Sequence, residues 1–366
     1  MKKILCLILI CILALPLSGC KQNKYYEPVE STEEEAAIVM TFTIGEDSYG
    51  VRYELYRALF LGNKAIVDGG DSSVWSGDNA EEYVERINEI ICERAYEIYS
   101  AIHIAKSIGF DPYSDDVELK IKETVKGAVE GDSIQMGHGS YEAYLASLKE
   151  SGLNYSVAAL LMRYSLCIEK INEYYGGYEH EAFGQMQGDY TYTKDDVKAY
   201  YLSDECRRVM QVYLPEGLRT RSWVDSFRGE LLAKSSEHDM AVHIITYTTA
   251  TEADLLVGGE ISGSIIGRDA LDSFFYKDYI DTVFTTEPGA MSEVVEIDNT
   301  DADGYYVVYG LEKSEDHFER CYEQVRLSYI DNVIGAVIAD VTDAFRASTS
   351  YGEVYSTIIH SEITMD

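Results

Sequence analysis

The spacing of the apolar residues changes character once along this chain, and that change limits what it can fold into. Ile87, Ile90, Ile91, Ile98, Ile102 and Ala105 recur at spacings of three, four and seven, a helical stripe that Gly109 and Pro112 bring to an end. Asp115 with Glu118 three residues on has capping-box spacing and opens a second helix. Ser140 and Asn154 are placed to cap two more. The first of these carries Tyr141, Tyr144, Leu145 and Leu148; the second carries Val157, Leu160, Leu161, Tyr164, Ile168, Ile171 and Tyr175 before Gly176-Gly177 stops it.

From about Thr193 the pattern is mixed. Thr193 and Asp196 start a short helix, Arg208 to Leu214 reads as a strand ending at Pro215, and Ser222 to Ala233 reads as a helix. An apolar segment, Ala241 to Tyr247, follows. Glu287-Pro288-Gly289 is a turn, and Val294 to Ile297 pairs with Tyr305 to Tyr309 around Asn299 to Gly304. A last helix spans about Ser314 to Phe345, and Val354 to Ile359 reads as a closing strand. With Ile38 to Ile44 and Tyr49 to Val51 as strands ahead of a helix from Arg52 to Leu61, the fold class is α+β.

The N-terminus reads as an address. Lys2 and Lys3, the apolar run Ile4 to Leu15 and the small residues before Cys20 describe an export signal. That run is too short to cross a bilayer, which takes about 20 residues, so the segment is expected to be cleaved. Leu17-Ser18-Gly19-Cys20 also resembles the lipobox of bacterial lipoproteins. The resemblance implies lipid attachment at Cys20 and an extracytoplasmic protein anchored to the bacterial cell membrane; an ordinary secretory signal with a chance cysteine is the alternative. Lys21 to Glu35, ending in Glu33-Glu34-Glu35, reads as a solvated acidic tether.

Charge narrows the partners. Against 64 Asp and Glu stand 30 Lys and Arg, a formal net charge of -34, which argues against nucleic acid and against attachment through a basic patch, and favours cationic clients. Of seven cysteines, Cys92, Cys167, Cys206 and Cys321 remain once the first three are set aside; no zinc-like spacing links them, and buried thiols and two disulfides are both open. No metal or cofactor is expected. The histidines form no HExxH, although His238 and His243, five apart, are placed to share a site; GxSxG, P-loop and GxGxxG motifs are missing from the sequence.

In order, these pieces resemble the PrsA/SurA-like extracytoplasmic foldases, in which a parvulin-type prolyl isomerase domain sits between a helical chaperone region and a C-terminal helix. The residues that carry the resemblance are Tyr83 to Phe110, Ser140 to Tyr175 and Tyr192 to Tyr201 as helices, and Arg208 to Leu214 as the first strand. To these add the loop Val257-Gly258-Gly259-Glu260, the segment Thr286 to Val295, and Asp303 to Val308 as the last strand. It implies a signal over 1–19, a tether over 20–35, a helical domain over 36–190, an inserted parvulin-like domain over 191–313, and a C-terminal helix over 314–366 that packs on the helical domain.

Active parvulins carry a histidine in the first strand and another in the last. Here Gln211 and Tyr306 stand at those positions. The resemblance thus implies a degenerate peptidyl-prolyl isomerase pocket and a foldase that grips unfolded exported proteins with little or no turnover. Tyr141, Tyr144, Phe274, Phe275, Tyr279 and Phe284 are the expected client contacts. An active isomerase with a remodelled pocket is one alternative. A solute-binding lipoprotein is the other, and it requires repeated strand-helix units in two lobes.

Overall fold

The computed structural model describes residues 25–131, 136–176, 179–180, 184–185, 188–215, 219–248, 250, 255–257, 260–269, 277–297 and 304–364. The export signal, Cys20, Gly258, Gly259, Phe274 and Phe275 lie outside the described residues. The chain divides into two compact units: one runs to Tyr174 and resumes at Ile338, the other runs from Tyr175 to Val337.

In the first unit, β1 (Ile38–Ile44) turns at Gly45, whose φ of 57° favours glycine, into the antiparallel β2 (Asp47–Arg52). Helices α1 (Tyr53–Asp68), α2 (Ala80–Ser107), α3 (Asp115–Glu130), α4 (Tyr141–Glu150) and α5 (Tyr155–Gly176) follow. The stripe on α2 buries Ile87, Ile91, Ile98, Ile102 and Ala105 as its spacing requires. The cap of α3 is Ser114, one residue before the expected Asp115. Its backbone is still extended, so its hydroxyl reaches the amide of Val117, whereas Asp115 already lies within the helix. Ser140 and Asn154 cap α4 and α5 as their positions suggest. Val117, Ile121, Val125 and Val129 of α3 close over Tyr144, Tyr155 and Met162.

The acidic tether needs correction over residues 25–35. Tyr26 stacks on Tyr141 with ring centroids 4.8 Å apart, and the carbonyl of Glu27 accepts a 2.8 Å hydrogen bond from the Tyr141 hydroxyl. Thr32 and Glu35 bond reciprocally, amide to side chain, which holds the Glu35 carboxyl below its ordinary range. An aromatic anchor and a local hydrogen-bond box give this run what a solvated acidic segment lacks.

In the second unit, Glu179–His180 and Gly184–Gln185 pair as β3 and β4, and α6 (Lys194–Leu202) begins at the Thr193–Asp196 capping box. Then come β5 (Cys206–Pro215), α7 (Arg221–Leu232), α8 (Glu237–Tyr247), β6 (Leu256–Val257), β7 (Glu260–Ile261), β8 (Ser264–Gly267), α9 (Lys277–Thr285), β9 (Val295–Ile297) and β10 (Gly304–Leu311). The apolar segment Ala241 to Tyr247 is the second half of α8. Ser236 caps that helix, and Met240, Ala241 and Ile244 are its buried positions. The main sheet has the order β8-β5-β10-β9, and each of its strand pairs is antiparallel. Repeated parallel strand-helix units, as a two-lobed solute receptor would need, are not what the described residues form.

The closing helix divides. Ser314 caps α10 (Glu315–Arg320), Cys321 interrupts, and α11 (Tyr322–Ser348) follows. Phe318 and Val325 pack with Val197, Tyr201, Cys206 and Ile265 of the second unit, so residues 314–337 belong there. From Ile338 onward the chain belongs to the first unit. At its far end Phe345 enters the first unit's aromatic core, 4.6 Å from Phe42. The final strand is not Val354 to Ile359 but β11 (Ser350–Tyr351), which adds to the edge of β1. Gly352 then donates to the Val39 carbonyl, and the chain turns away through short 3-10 turns. Cys92, Cys167, Cys206 and Cys321 are buried free thiols, and burial pushes Cys167 up to about 12 and Cys206 up to about 11. Among the described residues no helix is long and apolar enough to cross a membrane.

Candidate functional site

Side chains alternate across a strand, so β5 and β10 sort their residues onto two faces. Met210, Val212 and Leu214 with Tyr305, Val307 and Leu311 meet Val224, Phe227 and Leu231 of α7 and Met240, Ala241 and Ile244 of α8. The other face carries Val209, Gln211 and Tyr213 beside Tyr306 and Val308. The antiparallel register pairs Tyr306 with Tyr213 and Val308 with Gln211. Gln211 and Tyr306, the two candidate positions singled out by the resemblance, therefore sit diagonally on one face, one pair apart.

Helix α9 covers this face. Its Tyr279, 8% exposed, donates its phenol proton to the side-chain oxygen of Gln211 and lies against Tyr306 with ring centroids 5.0 Å apart. Tyr213 adds a second ring 4.8 Å from Tyr306. Burial, with the neighbouring Tyr306, drives the Tyr279 phenol well above its ordinary range, so it remains a neutral donor. Val209, Val283, Phe284, Ile297 and Val308 complete the apolar floor. Two guanidiniums flank the Phe284 ring, Arg268 at 4.3 Å and Arg207 at 5.2 Å.

A tightly turned segment fixes the edge of the site. Gly289 adopts φ 78° and donates to the Gly310 carbonyl, while Gly310 donates back to Ala290. A side chain at Gly310 would meet the Glu287 carbonyl at 2.3 Å, so only glycine permits this approach. Ser292 donates from its amide to the Val308 carbonyl and accepts from the Val308 amide at its hydroxyl. Arg228 of α7 reaches the Ser292 carbonyl at 2.6 Å.

Amide and phenol groups grip by hydrogen bonds and ring contact; neither gains nor loses a proton near neutral pH. Among the described residues no histidine stands in this cluster. His243 stacks on Phe227 and bonds Glu230 at 3.0 Å, so its partner is Glu230 rather than His238. His317 lies in α10: its Nδ1 accepts from the Tyr201 hydroxyl and its Nε2–H donates to the Ser262 carbonyl, and burial pushes it down to about 4. With Nε2 already protonated and donating, it cannot act as a base toward Cys321, 3.4 Å away.

The expected client contacts fall differently. Tyr279 and Phe284 are buried beneath the sheet face, and Tyr144 is in the α3–α5 core. Tyr141 is half-buried under Tyr26. None of the four is an open aromatic surface, because each ring has a partner within the chain; Phe274 and Phe275 lie outside the described residues. The sequence reasoning missed Tyr213, although its position two residues after Gln211 on the same strand puts it on the same face.

No family model matches the chain, and no curated protein matches it. Solved structures to which it is similar include foldases. Foldase protein PrsA from Streptococcus pneumoniae str. Canada MDR_19A is 14% identical, with 78% of this chain and 92% of that one covered and a TM-score of 0.28. PrsA from Bacillus subtilis is 14% identical, with 74% and 87% covered and a TM-score of 0.24. Foldase protein PrsA from Lactococcus lactis is 12% identical, with 90% and 99% covered and a TM-score of 0.25.

Proposed function

We propose that this chain is an extracytoplasmic foldase that binds unfolded or partly folded exported polypeptides and turns over prolyl bonds little or not at all. The observation that carries the reading is the closed pair on the β5–β10 face: the phenol of Tyr279 is spent on the amide oxygen of Gln211, at the place where the sequence resemblance puts the isomerase pocket. Rotating a prolyl bond means crossing roughly 18–20 kcal/mol, and catalysis needs groups free to stabilise the twisted amide more than the planar one. Donor and acceptor here already satisfy each other. Tyr213 and Tyr306, half-buried on the same face, offer aromatic surface suited to weak, adaptable grip.

Attachment to the membrane through a lipid on Cys20 belongs to the same proposal and rests on the lipobox resemblance. A body this acidic is repelled by anionic lipid, so an acyl anchor supplies what charge does not. The inserted unit, 191–313 by its sequence limits, acts as the parvulin-like domain, and the helical unit acts as the chaperone platform.

Two assays decide it. In a protease-free isomerisation assay on a proline peptide, the chain leaves the rate at background. Turnover well above background that Gln211→Ala removes would overturn the non-catalytic reading. In an aggregation assay with a reduced, unfolded client, the chain slows light scattering and Tyr306→Ala weakens the effect; no protection at all would overturn the foldase reading itself.

A further inference from the structure

Residues 350–364 lie along the first unit in a way that differs from the rest of its packing. Just before them, Phe345 is fully buried among Phe42, Tyr49 and Tyr96. Across the fifteen residues that follow, only Ile363 is buried. The segment is held instead by backbone pairing and by polar tips. Ser350 and Tyr351 add a short antiparallel strand to the edge of β1, opposite Thr41 and Met40, and Gly352 donates to the Val39 carbonyl at 2.8 Å. The Tyr351 hydroxyl meets the Cys92 sulfur at 3.3 Å.

Beyond the strand, the segment crosses α1 and α2. The Tyr56 phenol donates to the Asn88 side-chain oxygen, and the Asn88 amide donates to the Tyr355 hydroxyl. With the Tyr56 proton so placed, Nε2–H of His360 is the donor to the Tyr56 oxygen at 2.8 Å. The His360 ring lies 5.7 Å from Phe60, and Arg57 holds the Thr364 carbonyl. Strand addition at a free edge plus a few aromatic side chains in fixed places is how extended peptides are bound by proteins that recognise them.

We propose that the groove along β1, α1 and α2, lined by Tyr56, Phe60, Asn88 and Cys92, is a peptide site that the C-terminal strap occupies as an internal stand-in, and that an extended, aromatic-bearing client segment takes its place. The groove offers a strand edge and neutral hydrogen-bonding tips, neither of which demands a fixed sequence. Because the strap is tethered, it competes at an effective concentration on the order of millimolar, so a client must bind the bare groove well below that to displace it. The strap carries Glu353 and Glu362 on a strongly acidic body, and a segment with lysine at those two places is favoured over the strap's own sequence. The identity of the occupant as a client rests on the foldase reading; the groove itself does not.

The probe is a fluorescein-labelled peptide of sequence 350–364, titrated by anisotropy against three full-length or near full-length proteins: the parent, a Tyr355→Ala/Ile363→Ala double variant, and a chain ending at Thr349. The strap-released forms are expected to bind at least tenfold more tightly than the parent, and a peptide with lysine in place of both glutamates more tightly again. Binding within twofold of the parent in both released forms overturns the proposal. So does loss of the first unit's cooperative unfolding in both, because the strap is then part of the core. A chain that binds the peptide yet gives no protection against aggregation keeps the groove and sinks the foldase reading; protection that strap release leaves unchanged does the reverse.

Discussion

On β5 and β10 the residues that pack into the core with α7 and α8 are apolar or aromatic, with Arg208 at the end of the same face, while those facing α9 interleave Gln211, Tyr213 and Tyr306 with Val209 and Val308. Both faces come from the same two strands in the same register, so backbone geometry cannot account for their difference. The first face is a core: apart from the tips of Tyr305 and Tyr309, the latter reaching Glu237 of α8 at 3.4 Å, its packed groups are apolar, and its stability comes from area removed from water. The second is half core and half site. There a buried amide is acceptable only because a buried phenol meets it, an arrangement that fixes α9 over the sheet and uses up the polar groups that would otherwise face a ligand.

Four measurements would break or sharpen this contrast. The largest effect belongs to the apolar face: Phe227→Ala, at a side chain 2% exposed, should lower stability by about 3–5 kcal/mol through lost transfer energy and the cavity left behind, read by urea unfolding. A loss under 1 kcal/mol would mean that this face is not the core.

The next effect lies off both faces, and it separates acid sensitivity from the site. His317 is held down to about 4 in the folded state against 6.5 ordinarily, so between those values the unfolded chain takes up a proton that the folded one refuses. Stability should fall as pH drops from about 6.5 to about 4 and the histidine's contribution should level off below, a change on the order of 3 kcal/mol from this residue. His317→Gln should flatten that part of the profile; an unchanged slope would assign the acid sensitivity elsewhere, with His103 and His360, shifted the same way by burial in the first unit, as the next candidates.

On the mixed face, Tyr279→Phe keeps the ring and removes the donor. The Gln211 oxygen is then left without its partner, and a loss of about 1–2 kcal/mol is expected by the same unfolding measurement, with Tyr279→Phe/Gln211→Leu recovering part of it. No recovery would show that the pair is not coupled. The smallest effect is a control outside both faces: Thr193→Ala removes the capping box of α6 and should lower the melting transition by the equivalent of about 1 kcal/mol.

Much of the element order was legible in the sequence because local chemistry fixes it. The Thr193 and Ser140 caps, the isoleucine stripe on α2, the Pro288-Gly289 turn and the β9–β10 pairing each depend on residues within a few positions of one another. Where the reading failed, a distant contact overruled the local signal. Residues 25–35 look solvated, yet Tyr141 anchors them from more than a hundred residues away. The β-branched run Val354 to Ile359 looks like a strand, but the edge of β1 takes only Ser350 and Tyr351. The aromatic residues expected to face a client, Tyr144, Tyr279 and Phe284, are buried instead, because an aromatic ring reads the same in a sequence whether it meets solvent or a neighbour.

The sequence by itself determined the α+β class, the positions of most helices and strands and the strongly acidic charge, and it singled out Gln211 and Tyr306 as the positions where the resemblance implies histidines. Only the tertiary structure decided that these two share a sheet face, that Tyr279 from a helix 68 residues further on engages the first of them, and that the end of the chain folds back on β1. The reason is physical: caps, periods and turns are set by interactions across a few residues, whereas whether a polar tip is free or already satisfied depends on which distant side chain packing brings to it.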